Sequence, residues 1–167
     1  AEVKKAIPAL AALADGIGDP AVRNRGTFGG SIALADPSAE LPACILALEA
    51  TLVVESLRGR RTIAADDFFK GLYETARAPD ELLVEVLIPP QRRELVSVFM
   101  ELSRRHGDFA IAGLACCARV ERERIADPRV ARVGQHGDGN SSQRRHQARE
   151  QDPAIRWHRR RLRQTVS

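Results

Sequence analysis

Apolar residues recur at helical spacing near the start of the chain, where Val3, Ile7, Leu10 and Leu13 lie three or four apart. That spacing predicts a helix over residues 2–14, with Pro8 tolerable only near a first turn, where a missing N–H breaks no ladder. The stretch Gly16-Ile17-Gly18-Asp19-Pro20 ends it and opens a turn. A second apolar cluster, Leu41, Cys44, Ile45 and Leu48, predicts a short helix over residues 41–50, with Ser38 and Glu40 as its N-terminal signal. From Thr51 the period changes. Residues 51–55 are β-branched and read as a strand, and Leu57-Arg58-Gly59-Arg60 turns it into a partner near Thr62 and Ile63. Asp66 and Asp67 are placed to cap a brief helix that carries Phe68 and Phe69 inward, and residues 82–88 form a further strand stopped by Pro89-Pro90.

Beyond those prolines, residues 95–102 alternate, with Val96, Val98 and Met100 on one face. Residues 109–120 are a long apolar run that periodicity alone leaves open between helix and strand. After about Arg132 the periodicity stops, and Leu, Ile, Val and Phe nearly vanish until Ile155.

Composition refines this picture. Hydrophobic residues make up 44% of the 167 positions but aromatics only 4%, so the core must rest on Ala, Leu, Val and Ile. No apolar run approaches the ~20 residues of a membrane span, and the N-terminal residues lack a signal-peptide pattern, so a soluble cytoplasmic protein is expected. The net charge of +4 belongs to the end of the chain: from Val133 onward there are eight arginines against Asp138, Glu150 and Asp152. Cys44, Cys116 and Cys117 lack metal-ligand spacing and read as buried apolar side chains in a reducing compartment. Outside the basic tail His106 is the only histidine, and the tail histidines His136, His146 and His158 lack metal-ligand spacing, so neither a hydrolytic triad nor a metal site is expected.

The chemistry gathers in Asn24-Arg25-Gly26-Thr27-Phe28-Gly29-Gly30-Ser31, followed by Ala35-Asp36-Pro37. Three glycines within five residues free the main chain for close approach and for positive φ at Gly29 and Gly30. Exposed N–H groups beside the hydroxyls of Thr27 and Ser31 make a concave anion site suited to a pyrophosphate. A plain Gly-Gly turn between two strands is the competing account, since neither G-x-G-x-x-G nor a P-loop is present.

A wider set of motifs bears on that choice. Residues 22–31 run into Ala35-Asp36-Pro37-Ser38-Ala39-Glu40-Leu41-Pro42, and these are followed in order by Ala65-Asp66-Asp67-Phe68-Phe69, Asp80-Glu81-Leu82-Leu83 with Ile88-Pro89, and Ser103-Arg104-Arg105-His106-Gly107-Asp108-Phe109-Ala110. Over residues 1–131 the chain resembles the FAD-binding medium subunit of molybdenum hydroxylases, of the carbon monoxide dehydrogenase and xanthine dehydrogenase type. The resemblance implies an α+β fold: a FAD-binding (PCMH-type) middle subdomain over residues 1–90, then the start of a CO dehydrogenase flavoprotein C-terminal-like subdomain over 91–132. It favours a strand for the 109–120 run, with a hairpin near Glu121 to Arg124.

It also implies FAD as cofactor, with Thr27, Gly29, Gly30 and Ser31 at the pyrophosphate and ribityl region. Asp36 sits beside them, either as a contact or as a turn cap. Glu40 stands where the family has an aspartate that hydrogen-bonds the cofactor; it keeps the charge and adds a methylene. Val84 matches an apolar position packed near the adenine or flavin ring, although an ordinary core strand residue has the same signature. Met100 stands where some relatives have a lysine, and Arg104, Arg105 and Asp108 read as a salt-bridged loop or a solvated charge cluster. The implied partners are a molybdenum-cofactor large subunit and an iron–sulfur small subunit, with electrons passing from the clusters through FAD to an external acceptor; no residue is expected to be catalytic or to hold a metal.

Two departures carry expectations of their own. The family's first FAD segment is expected ahead of residue 1, which would leave half of the cradle to be supplied from elsewhere. Residues 133–167 match nothing in the family, and Gln143-Arg144-Arg145-His146-Gln147 reads as GC-rich sequence out of frame. A frameshift near Arg132 is therefore expected, which resequencing the gene tests. Two rival functions follow from these departures: a non-functional fragment, and a nucleic-acid-binding module in which the tail arginines neutralise phosphates and Trp157 stacks on a base.

Overall fold

The computed structural model describes residues 2–90, 95–105, 107–121, 124–134 and 146–147. Beyond Gly134 the tail, with the frameshift and nucleic-acid readings that rest on it, lies outside the described residues apart from His146–Gln147.

The chain opens with two helices rather than one. α1 (Glu2–Ala6) and α2 (Pro8–Gly16) are separated at Ile7, whose φ of −143° is extended. Pro8 thus sits at the first position of α2, where its missing N–H breaks no helical bond. Ile7, Leu10 and Leu13 are buried as the spacing required, but Val3 on the detached first turn is exposed. Next come α3 (Pro20–Arg25), capped by the Asp19 carboxylate, and α4 (Phe28–Leu34), where the sequence predicted a loop.

α5 (Glu40–Ala47) carries no charge after its first residue, and Leu41 to Ala47 are all buried. A helix apolar all round must have neighbours all round. It packs against α4, against α6 (Ala65–Phe68), and against strands β7 (Ala112–Glu121) and β8 (Arg124–Val133). Its cap is Ala39, which makes no side-chain bond, and not Ser38.

Strands β1 (Thr51–Ser56) and β2 (Gly59–Ala64) form the expected hairpin, and β5 (Leu82–Leu87) pairs with the other edge of β1, giving the order β2-β1-β5. Leu52 and Val54 are fully buried on the inner face. Between the strands lie α6 (Ala65–Phe68) and the small β3 (Phe69–Gly71) and β4 (Glu74–Thr75) ribbon. Asp66 and Asp67 lie inside α6 rather than capping it, and Phe68 is fully buried edge-on to the half-buried Phe69. The segment before β5 is held to β2 through buried Glu81, whose carboxylate accepts from Arg61 at 2.6 and 2.7 Å and from the Ala78 N–H at 2.7 Å.

The second sheet has the order β6-β7-β8-β9, with β6 (Leu95–Leu102), β7 (Ala112–Glu121), β8 (Arg124–Val133) and β9 (His146–Gln147). The 109–120 run is therefore largely a strand, and Glu121 opposite Arg124 closes the hairpin. β6 alternates as read, with the faces reversed from what its apolar content suggests: Val96, Val98 and Met100 point outward, while Leu95, Ser97 and Phe99 face inward. β8 accommodates Pro128 at a bulge opposite Ala118, where Asp127 takes a φ of 48°. One hydrophobic core runs from Ile7 on the first helices through α5 to Ala131 and Val133 on β8. Cys44 and Cys117 lie buried within it, and burial pushes the Cys44 thiol up to about 12.

Among the described residues no helix is long and apolar enough to cross a membrane, and no group of His, Cys, Asp and Glu is arranged to hold a metal ion.

Candidate functional site

The Gly-Gly segment is the first turn of a helix. α3 ends at Gly26, and Thr27 then takes extended angles (φ −127°, ψ 149°), making it the N-cap of α4. Its Oγ1 accepts from the Gly30 N–H at 3.0 Å, and its carbonyl accepts from the Ser31 N–H at 3.1 Å. Neither Gly29 nor Gly30 has a positive φ, so conformational freedom is not what glycine supplies here. Space is. A Cβ on Gly29 would meet nothing within 4 Å, whereas one on Gly30 would lie 2.6 Å from the Thr27 hydroxyl. Gly30 is therefore required by the cap itself, and Gly29 has no neighbour that requires it.

A helix leaves its first N–H groups without internal partners. Of these the Thr27 side chain takes up that of Gly30, Ser31 making the first ordinary helical bond, while those of Phe28 and Gly29 have no acceptor among the described residues. Buried Ile32 anchors the helix, leaving the Thr27, Phe28 and Gly30 end exposed. The arrangement therefore offers open amides, a capping hydroxyl, the Ser31 hydroxyl and an uncluttered approach at Gly29. Those features fit an anion such as a pyrophosphate. The turn between two strands is excluded by the helix.

The other candidates separate from this end. α4 closes at Ala35, which is buried and left-handed at φ 56°. Asp36 serves as the turn cap: its Oδ1 accepts from the Ser38 N–H at 2.8 Å and its carbonyl from the Ala39 N–H at 3.1 Å. Glu40 begins α5 and faces a cleft of 360 Å³ lined by Ala9, Ala12 and Gly16 of α2 and by Phe99 and Glu101 of β6. Burial pushes the Glu40 carboxyl above its usual range, and the nearby Glu101 and Asp36 charges push it further. The seven residues of α4 put about 10 Å between Thr27 and this turn. Glu101 was not singled out in the sequence, because only the fold brings it to the same cleft as Glu40.

Val84 is not a core residue. On β5, Glu85 pairs with Val53 and Leu83 with Val54, so Val84 is the extra residue of a bulge. The bulge lets Leu83 and Val86, three apart, both face the core and leaves Val84 41% exposed. Since α4 packs on β5, this apolar side chain lies on the strand nearest the Gly-Gly helix. Met100 is 61% exposed. Arg104 and Arg105 approach Asp108 at 3.9 and 3.7 Å from highly exposed positions, a solvated charge cluster worth little to stability.

The described residues thus form an α+β unit in which a Gly-Gly helix start with open amides lies beside β5 and its exposed Val84. Residues 1–91 match the family described as the FAD binding domain in molybdopterin dehydrogenase. The chain belongs to that family. It is 42% identical over 135 residues to the nicotine 6-hydroxylase medium subunit of Paenarthrobacter nicotinovorans, a match covering 81% of this chain and 47% of that one. It is 40% identical over 129 residues to the carbon monoxide dehydrogenase medium chain of Hydrogenophaga pseudoflava, covering 77% and 45%. Among solved structures, quinoline 2-oxidoreductase from Pseudomonas putida 86 aligns with a TM-score of 0.75 at 36% identity over 87% of this chain and 48% of that one. The chain thus spans a little under half the length of these relatives.

Proposed function

We propose that this chain is the FAD-binding part of a medium subunit of a molybdenum hydroxylase, and that the start of α4 holds the pyrophosphate of FAD. The observation that carries the reading is the pairing of unpartnered Phe28 and Gly29 amides with an unobstructed Gly29, inside the stretch that matches the FAD-binding family. In it, those amides and the Thr27 and Ser31 hydroxyls bind the phosphates, and Gly30 lets Thr27 hold the turn in shape. Asp36 acts indirectly, by fixing the turn between α4 and α5. Val84 offers an apolar contact to a ring, and Glu40 a carboxylate acceptor at the far end of α4.

When bound, FAD supplies the redox chemistry; this chain's residues bind and orient it. The physiological partners in this proposal are an iron–sulfur subunit that delivers electrons and a molybdenum-cofactor subunit that oxidises substrate, in the cytoplasm. Residues 1–90 form the cofactor-binding unit and 91–132 the start of a second unit; the tail from 133 plays no part in binding.

The test is a fluorescence titration of the purified chain with FAD, with Gly30→Asp as control. Saturable quenching that the substitution abolishes supports the reading. Equal binding by the variant overturns the assignment of the α4 start.

A further inference from the structure

α3 leads directly into the α4 start, yet it buries no side chain. A six-residue helix without core contacts cannot fix its own position. Its placement must come from its two ends. At the far end, α4 is anchored by buried Ile32. At the near end lies the Gly18–Asp19 turn, packed between two elements.

On one side of that turn, Gly18 (φ 53°) lies against α3: a Cβ there would sit 3.0 Å from both Cβ and Cγ1 of Val22. On the other side stands Gly107, from the connection between β6 and β7, at φ 81°. A Cβ on Gly107 would lie 3.1 Å from the Gly18 carbonyl carbon and oxygen and 3.5 Å from the Asp19 nitrogen. The same Gly18 carbonyl accepts from the Arg23 guanidinium at 2.8 Å, alongside the Ile17 carbonyl at 2.9 Å. The next residue, Asp19, caps α3 through the Val22 N–H at 2.9 Å. Gly107 itself is held firmly: the Asp108 N–H donates to the Arg105 carbonyl at 3.1 Å, and Ala110 is buried in the core.

Two glycines from distant parts of the chain therefore lie close together, and a side chain on Gly107 would crowd the Gly18 backbone. We infer that the Gly107–Asp108 end of the β6–β7 connection is a positioning element for the cofactor cradle: it presses on the Gly18–Asp19 turn, which sets α3 and through it Thr27 and the open amides. This rests on the proposed FAD site but concerns residues outside it. It assigns the Gly107-Asp108 motif a role through another element, with no contact to the cofactor.

The test compares the full chain with Gly107→Ala, and with Gly59→Ala, which also alters a positive-φ glycine (118°) but has open space around it. Misdirecting one amide of a charge-assisted phosphate contact costs roughly a factor of ten in affinity. Gly107→Ala is expected to weaken FAD about that much while leaving riboflavin, which has no phosphate, unchanged; Gly59→Ala should change neither. General destabilisation would weaken both ligands together and would overturn the inference. Hydrogen exchange gives a readout that needs no cofactor: the Arg23, Gly26, Gly30 and Ser31 amides should exchange faster in Gly107→Ala only. Should Gly107→Ala fail to fold, Arg23→Gln, a change at an exposed side chain, is expected to speed the same amides. Unchanged exchange overturns the inference even if FAD binds. Faster exchange in a chain that binds no FAD retains the positioning and rejects the cofactor reading.

Discussion

Gly29→Ala separates a residue kept for the fold from one kept for a ligand. The added methyl meets no heavy atom within 4 Å, and the backbone there is already helical with negative φ. Alanine is the better helix former by up to about 1 kcal/mol, which for a chain of this size raises the melting midpoint by roughly 2–4 °C. Binding should move the other way. If the pyrophosphate approaches the Phe28 and Gly29 amides, the methyl occupies its path and displaces at least one hydrogen bond to a charged group. Such a bond is worth about 1.5–3 kcal/mol, or roughly 10- to 150-fold in affinity. Thermal melts and FAD titrations on the same preparations read both effects. Gly30→Ala provides the contrast, since its methyl would lie 2.6 Å from the Thr27 Oγ1 and force that hydroxyl off the cap. Loss of a cap costs about 1 kcal/mol, so stability and binding should fall together. A Gly29→Ala chain that is stabilised yet binds FAD as the parent does would refute the reasoning.

Further outcomes follow from the core and from the carboxylates. Phe68→Ala empties a fully buried site beside Phe69 and should cost about 3–5 kcal/mol in denaturant unfolding; a loss under 1 kcal/mol would mean the core closes around the gap. Glu81 is held from 4.5 down to about 2, chiefly by Arg61 and then by the Ala78 N–H. Its stabilisation is therefore fully present above about pH 5 and drains away as pH falls toward 2. Glu81→Gln should lower the midpoint at pH 7 and flatten the acid limb, and parallel acid limbs would contradict the assignment. Glu40 has the opposite sign, because burial and then Glu101 and Asp36 raise it. The fold disfavours its ionised form, so stability falls as pH rises through the window above 4.5. Glu40→Gln should melt higher than the parent at pH 7 and equally near pH 4, and a lower midpoint at pH 7 would count against this account.

The parts of the fold legible in the sequence are those where local pattern and burial agree. β1, β2 and β5 declared themselves through β-branched and apolar residues between turn signals, and α5 through its uninterrupted apolar face. α4 did not, because two glycines in seven residues argue against a helix and the segment is too short to show a period. What makes it helical is the Thr27 cap and the burial of Ile32. The break at Ile7 was hidden for a related reason: the apolar spacing runs through Pro8, and only the proline's geometry detaches the first turn. Alternation in β6 fixed two faces without saying which is inner; Ser97 and Phe99 point in because α2 packs on that side with small residues. Within the candidate site, the Gly-Gly stretch could be read directly. The bulge at Val84, the approach of Glu101 to Glu40 and the contact of Gly107 with Gly18 arise from pairings across the chain, which no local window contains.

Whether the start of α4 holds FAD can be read from the backbone amide resonances of the 15N-labelled chain during an FAD titration. Saturable shifts that are largest at Phe28, Gly29, Gly30 and Ser31 are expected. Saturable shifts centred elsewhere, with these four unmoved, would contradict that placement of the cofactor.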